Sequence, residues 1–270
     1  MLRNIKSKFT YPPQNWKRLE YLWKNDKPIS FYSWECPPRQ IVTDKKNGRW
    51  VNFDIDIESI VDGRKLDKFT ELPRLTSQWK KEKWFIETII SKNPNASYTK
   101  IVADTNGLYL YTKSKKILGK KKIAQLSNKF KDCIEEKSKE LLGASSPNIV
   151  LYTDNQKKFK DEYEMFFKLA YRSFVKNKRL VPQKLLDYWM DRMINHIGLS
   201  DKDKVERLDT MKRVIASYAA EGILFELLSI SGDLKNPVWV NWEEKSESAQ
   251  TTELLRCRYG FEPLPVIYFV

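Results

Sequence analysis

The chain has 270 residues, 41% of them hydrophobic and 13% aromatic, which is material for one large core and excludes a chain that is disordered throughout. Lysine and arginine number 49 against 35 acids, and the net charge of +14 points to a polyanionic partner. One histidine, His196, and three scattered cysteines (Cys36, Cys133, Cys257) exclude His-based triads, His-rich metal sites and a disulfide framework.

Residues 1–25 read as an N-terminal extension of a single domain spanning 1–270. Pro28–Trp34 (PISFYSW) has the apolar run of a buried strand, stopped by Pro37-Pro38. Trp50–Ile57 (WVNFDIDI) alternates as a half-buried strand does. Leu72–Ile90 is helical, with Trp79, Lys83, Ile86 and Ile90 three and four apart, Pro73 in the first turn and Asn93-Pro94-Asn95 as terminator. A strand Ile101–Ala103, a turn through Asn106-Gly107 and a strand Leu108–Tyr111 follow. Ile123–Leu142 is an amphipathic helix, with Leu126, Phe130, Cys133, Ile134 and Leu141 on one side. Asn148–Asp154 is a short apolar strand. Helices at 155–176, 182–197 and 201–229 make the C-terminal half helical, before the strands PVWVNWE and LPVIYFV.

Strands alternating with helices predict an α/β fold with a mostly parallel central sheet flanked by helices. Ligands of such sheets bind beyond the carboxyl ends of the strands, here Ser33, Glu35 and Cys36, then Asp104 and Thr105, then Thr153 and Asp154. The most apolar stretch, 215–230, contains Glu221 and Glu226 and is shorter than the ~20 residues of a membrane span. No apolar segment follows the basic start, so a cytoplasmic protein is expected, without a membrane partner.

Four constellations could carry chemistry. In SFYSWECPPR a hydroxyl (Ser33) and a thiol (Cys36) leave an apolar strand just before a diproline, a rigid exit able to present a nucleophile. In IASYAAEGILFELL, Glu221 stands in a nearly continuous apolar run with Ser217 one turn before it and Tyr218 near; a desolvated carboxylate there could exchange a proton near neutrality or hold an ammonium group. Asp54 and Asp56 share one face of a strand and could bind Mg²⁺, or be simply its solvent face. The fourth is a basic set: Lys113, Lys115, Lys116, Lys120, Lys121 and Lys122, then Lys129, then Lys157, Lys158 and Lys160, with aromatic residues interleaved as in phosphate-backbone binding.

The order of parts resembles the cyclodipeptide synthases: a strand ending in Ser33, a strand running into Asp104-Thr105, a basic segment and helix, and SYAAEGILF before the strand PVWVNW. That resemblance, over residues 28 to 245, implies a Rossmann-like fold related to class I aminoacyl-tRNA synthetases, and peptide-bond formation from aminoacyl-tRNA. It implies Ser33 as the acceptor of an aminoacyl group, Glu221 on its amino group, tRNA on the lysines from 113 to 131, and no cofactor. The family's Tyr one turn before the Glu is replaced by Ser217, with Tyr218 one residue off. Its glycines around the Ser are absent, and so is its Pro after the Glu, where Gly222 and Ile223 stand.

Phe53–Ser59 (FDIDIES) also resembles the first motif of archaeo-eukaryotic primases, which would make Asp54 and Asp56 the metal ligands of a nucleotidyl transferase or nuclease; the His of the second motif is missing. A basic nucleic-acid-binding protein without catalysis is the third alternative. The N-terminal half is similar to isocyanide synthases as well, without their C-terminal His pattern.

Overall fold

The computed structural model describes residues 8–10, 13–35, 40–44, 49–53, 73–102, 146–176, 182–184, 226–242, 247–262 and 265–270, together with 128, 131–132, 134–136, 138–143, 187, 216 and 219–224. In chain order the elements are β1 (Phe9–Thr10), α1 (Pro13–Lys24), β2 (Ile29–Glu35), β3 (Gln40–Asp44), β4 (Arg49–Phe53), α2 (Pro73–Phe85), β5 (Ala96–Val102), β6 (Asn148–Leu151), α3 (Tyr152–Lys158), α4 (Lys160–Lys176), β7 (Val238–Asn241), α5 (Glu247–Arg258) and β8 (Val266–Phe269). A π-helical turn, Ile86–Ile90, continues α2. Helical residues also lie within 128–142 and 216–230.

The main sheet has the order β1-β8-β7-β2-β5-β6. β8, β7, β2, β5 and β6 are parallel, and β1 runs antiparallel on the β8 edge. This is a Rossmann-like α/β sheet. From β2 the chain moves outward through β5 to β6, then returns to place β7 and β8 on the other side. The order reverses between β2 and β7, and parallel sheets of this kind take their ligands beyond the carboxyl ends of the strands at such a reversal.

The apolar side chains of β2 alternate between two layers, as a pleated strand requires. Ile29 and Phe31 join Phe9, Trp16, Leu19, Phe85, Tyr98, Val240 and Trp242 under α1 and α2. Tyr32 instead joins Ile101, Tyr152, Tyr163, Ala220, Leu224, Trp239 and Val266 on the opposite face. Edge-to-face ring pairs knit the first layer, Phe31–Phe85 at 5.2 Å and Phe85–Trp242 at 5.8 Å among them. Each such pair adds about 1 kcal/mol to the burial of its rings. The first 25 residues contribute to both sheet and core, through β1 and through Trp16, Leu19 and Leu22 of α1.

Several boundaries differ from expectation, each for a local reason. β5 starts at Ala96, five residues before the expected Ile101, because its polar-looking positions include a lysine, Lys100, buried in an ion pair. The strand expected to reach Asp154 ends at Leu151. Thr153 and Asp154 fall in the first turn of α3, where an acid is favoured by the helix dipole. A single helix expected over 155–176 is divided at Phe159, which leaves helical geometry (φ −119, ψ 43) and packs against the second layer. The buried stripe of α2 runs Trp79, Glu82, Ile86, Ile89; Lys83, expected on it, is half exposed. β4 pairs antiparallel with β3 as a separate two-stranded sheet instead of joining the parallel one. Asp54, Asp56 and the expected strand Leu108–Tyr111 lie outside the described residues.

Candidate active site

Ser33 sits in the carboxyl half of β2, fully buried, on the α1/α2 side because it alternates with Tyr32 and follows Phe31 by two. Its Oγ lies 2.6 Å from the phenol oxygen of Tyr98 on β5, a buried hydrogen bond in which either oxygen can donate. Phe85 and Trp242 flank the Tyr98 ring at 5.9 and 6.3 Å, fixing its orientation. In the parallel register Ser33 is paired with Lys100, two residues beyond Tyr98. The Lys100 ammonium donates to Glu82 Oε2 at 2.8 Å, with both side chains wholly buried. The ring of Trp79, one turn before Glu82 on α2, lies 5.2 Å from the same ammonium. Five side chains from two strands and a helix thus form a polar group within an otherwise apolar layer.

Glu221 is 9% exposed, on the helix whose Ala220 and Leu224 pack against the other face of the sheet. Nearby is Tyr163, whose phenol pKa is raised by burial first and by the Glu221 charge second. Tyr32 is likewise raised, chiefly by burial. Arg256 of α5 anchors this helix. Its Nη1 donates to the Gly222 carbonyl at 2.6 Å, its Nε and Nη2 to the Glu262 carbonyl at 3.1 and 2.8 Å, and Nη2 also meets the Glu226 carboxylate. A Cβ on Gly222 would stand 2.7 Å from Arg256 Cγ, so only glycine allows this approach.

The helix ends near the amino edge of the sheet, since Lys235 just beyond it exchanges two hydrogen bonds with Ser30: Ser30 N to the Lys235 carbonyl, and Lys235 N to Ser30 Oγ. Ser33 and Glu221 thus belong to the layers on the two faces of the sheet.

Ser217 and Tyr218 lie outside the described residues, as do Lys113, Lys115, Lys116, Lys120, Lys121, Lys122 and Lys129. Of the basic set, Lys157 pairs with Asp154 at 3.1 Å and Lys158 with Asp233, while Lys160 is exposed. The hydrogen bond from Lys158, then that from Ser231, holds the Asp233 carboxyl below its ordinary range. Two of these three lysines thus meet acids that offset their charge. Among the described residues, no group of three or more His, Cys, Asp or Glu could hold a metal ion, and no helix is long and apolar enough to cross a membrane.

Tyr98, Lys100, Glu82 and Arg256 were not foreseen from the sequence as site residues. A signal existed for one: Glu82 stands on the apolar stripe of α2, between Trp79 and Ile86, where an acid needs a buried partner.

The overall fold is found among solved structures. A cyclodipeptide synthase (CDPS) from Fluoribacter dumoffii superposes with a TM-score of 0.54 at 10% identity, over 97% of this chain and 96% of that one. The fold is cyclodipeptide-synthase-like. A cyclodipeptide synthase from Bacillus thermoamylovorans gives a TM-score of 0.48 at 13% identity, over 99% and 97% of the two chains. Tyrosyl-tRNA synthetase from Archaeoglobus fulgidus, complexed with L-tyrosine, gives 0.45 at 13% identity over 94% of this chain, which spans 57% of the synthetase's length. No protein-family model and no curated protein matches the sequence.

Proposed function

We propose that this chain transfers an aminoacyl group from tRNA to Ser33, as the first half of a peptide-bond-forming reaction of the cyclodipeptide type. The observation that carries the reading is the Ser33 hydroxyl near the carboxyl end of β2, the strand at which the sheet order reverses, already bonded to Tyr98 at 2.6 Å. The cyclodipeptide-synthase-like fold supports it.

The chemistry needs no histidine. An aminoacyl ester is already activated; the seryl oxygen bonds to the carbonyl carbon as the bond to the ribose oxygen breaks. The seryl proton ends on that ribose oxygen. Tyr98 holds the hydroxyl in one orientation, which lowers the entropic cost of attack. Glu221 belongs to the layer on the other face of the sheet, so we give it no part in this first transfer. Lys113 to Lys122 and Lys129 take the phosphate backbone, with a lesser share for the acid-paired Lys157 and Lys158 and for Lys160.

The test is incubation with tRNA charged with a labelled amino acid, without added metal. Label bound covalently to the wild-type protein, and absent from the Ser33→Ala variant, is the expected result. Equal labelling of both proteins, or none of the wild type from a full set of charged tRNAs, would remove the reading.

A further inference from the structure

The polar group beside Ser33 contains a charge pair that the reaction above does not use. Lys100 and Glu82 meet at 2.8 Å with no side-chain exposure, in a layer otherwise made of aromatic and aliphatic groups. Stability alone does not call for such a pair, because removing two charges from water costs so much that an apolar pair of similar volume often serves as well or better. Its location is specific. Ser33 pairs in register with Lys100, so both side chains leave the same face of adjacent strands, and the Ser33 hydroxyl bonds Tyr98, two residues before Lys100 on β5.

We propose that the Lys100–Glu82 pair positions and polarises the Ser33–Tyr98 hydroxyl pair, Lys100 supplying a fixed cation beside the oxygen on which negative charge gathers and Glu82 holding that cation in place. The proposal rests on Ser33 being the acyl acceptor. Lys100 and Glu82 keep their charges throughout: the bond formed is Ser33 Oγ to acyl carbon, the bond broken is acyl carbon to ribose oxygen, and the seryl proton ends on the ribose. In a dry layer a fixed cation acts strongly on a nearby developing anion, and it needs no rearrangement as the reaction proceeds. Lys100 and Glu82 are positioning residues; Ser33 is the catalytic one.

The test removes the charges while keeping the volume, in the double variants Lys100→Met with Glu82→Leu and Lys100→Gln with Glu82→Gln, beside Lys100→Arg. Single-turnover transfer of label from charged tRNA is measured against tRNA concentration, with thermal unfolding of each protein as a control. The expected result is a folded double variant with its tRNA half-saturation unchanged and a transfer rate lower by about 100-fold or more. Lys100→Arg should keep the greater part of the rate. A folded, charge-free double variant within about threefold of an active wild type overturns this proposal alone. So does a folded Lys100→Arg protein that is inactive, which keeps the proposal open to refutation if neither double variant folds. A wild type that accepts no label overturns both this proposal and the reading of Ser33.

Discussion

Replacing Gly222 by alanine puts one methyl group into a space that Arg256 already fills. The added carbon would lie 2.7 Å from Arg256 Cγ, 3.2 Å from Cδ and 3.4 Å from Thr252 Cγ2, against ~3.5–4.0 Å for carbons in ordinary contact. Arg256 is 3% exposed and held at the Gly222 and Glu262 carbonyls and the Glu226 carboxylate, so it cannot swing clear without losing a bond from a charged donor. Overpacking of this kind costs about 1–3 kcal/mol, and a lost charge-assisted bond roughly 1.5–3 kcal/mol more. Alanine's better helix propensity returns about 1 kcal/mol. The net is a loss of about 3 kcal/mol, which in a protein of this size lowers Tm by roughly 6–12 °C. Thermal and urea unfolding read it directly, and because Gly222→Ala and Arg256→Ala disturb the same contact, the double variant should lose less stability than the sum of the two single losses. A Gly222→Ala protein with an unchanged or raised midpoint would refute the packing argument.

Tyr268 provides a test at alkaline pH. Burial first, and the Glu253 charge second, push its phenol pKa up to about 12 from an ordinary 10.0. Below 10.0 both folded and unfolded chains keep this proton, and its contribution to stability is fully present. As pH rises from 10.0 through about 12 the unfolded chain loses the proton first, and the contribution is lost. Tyr268→Phe should therefore move the alkaline unfolding midpoint upward, followed by circular dichroism against pH; a midpoint that stays or falls contradicts this. For nucleic-acid binding, changing Lys113, Lys115, Lys116, Lys120, Lys121 and Lys122 together to glutamine should weaken tRNA binding by about tenfold or more at ~150 mM salt and flatten its salt dependence. Changing Lys157 and Lys158, which already meet Asp154 and Asp233, should alter it by less than about threefold. Electrophoretic shifts over a salt series decide, and the reverse ranking would refute the assignment.

The parallel sheet was legible because the strands Ile29–Glu35, Asn148–Leu151, Val238–Asn241 and Val266–Phe269 are apolar runs between turn residues, the pattern of strands covered on both faces. The layer each residue joins was not. Ser33 and Glu221 were expected to converge from the likeness to a family, but a shift of one residue along β2 exchanges the faces, and only the pairing with β5 and β7 settles the face. The start of β5 was missed because Tyr98, Thr99 and Lys100 look like the approach to a strand. Lys100 is buried only because Glu82, eighteen positions earlier, waits on α2. Such a pair spans two elements, and periodicity within either one carries no sign of it. The anchoring of the Glu221 helix by Arg256 is likewise a contact across 34 positions.

The central place of β2 also bears on how the chain is made. Tyr32 takes Thr99 as one neighbour and Trp239 as the other, and the second emerges from the ribosome about two hundred residues after β2 itself. At ~5–20 residues per second that interval lasts roughly 10–40 s. Throughout it one flank of an apolar strand has no hydrogen-bonding partner from β7, the circumstance in which nascent chains associate with one another. Expression yield should accordingly depend on chaperone supply during translation, and slowing synthesis downstream of residue 102 should harm this protein more than slowing it at the start.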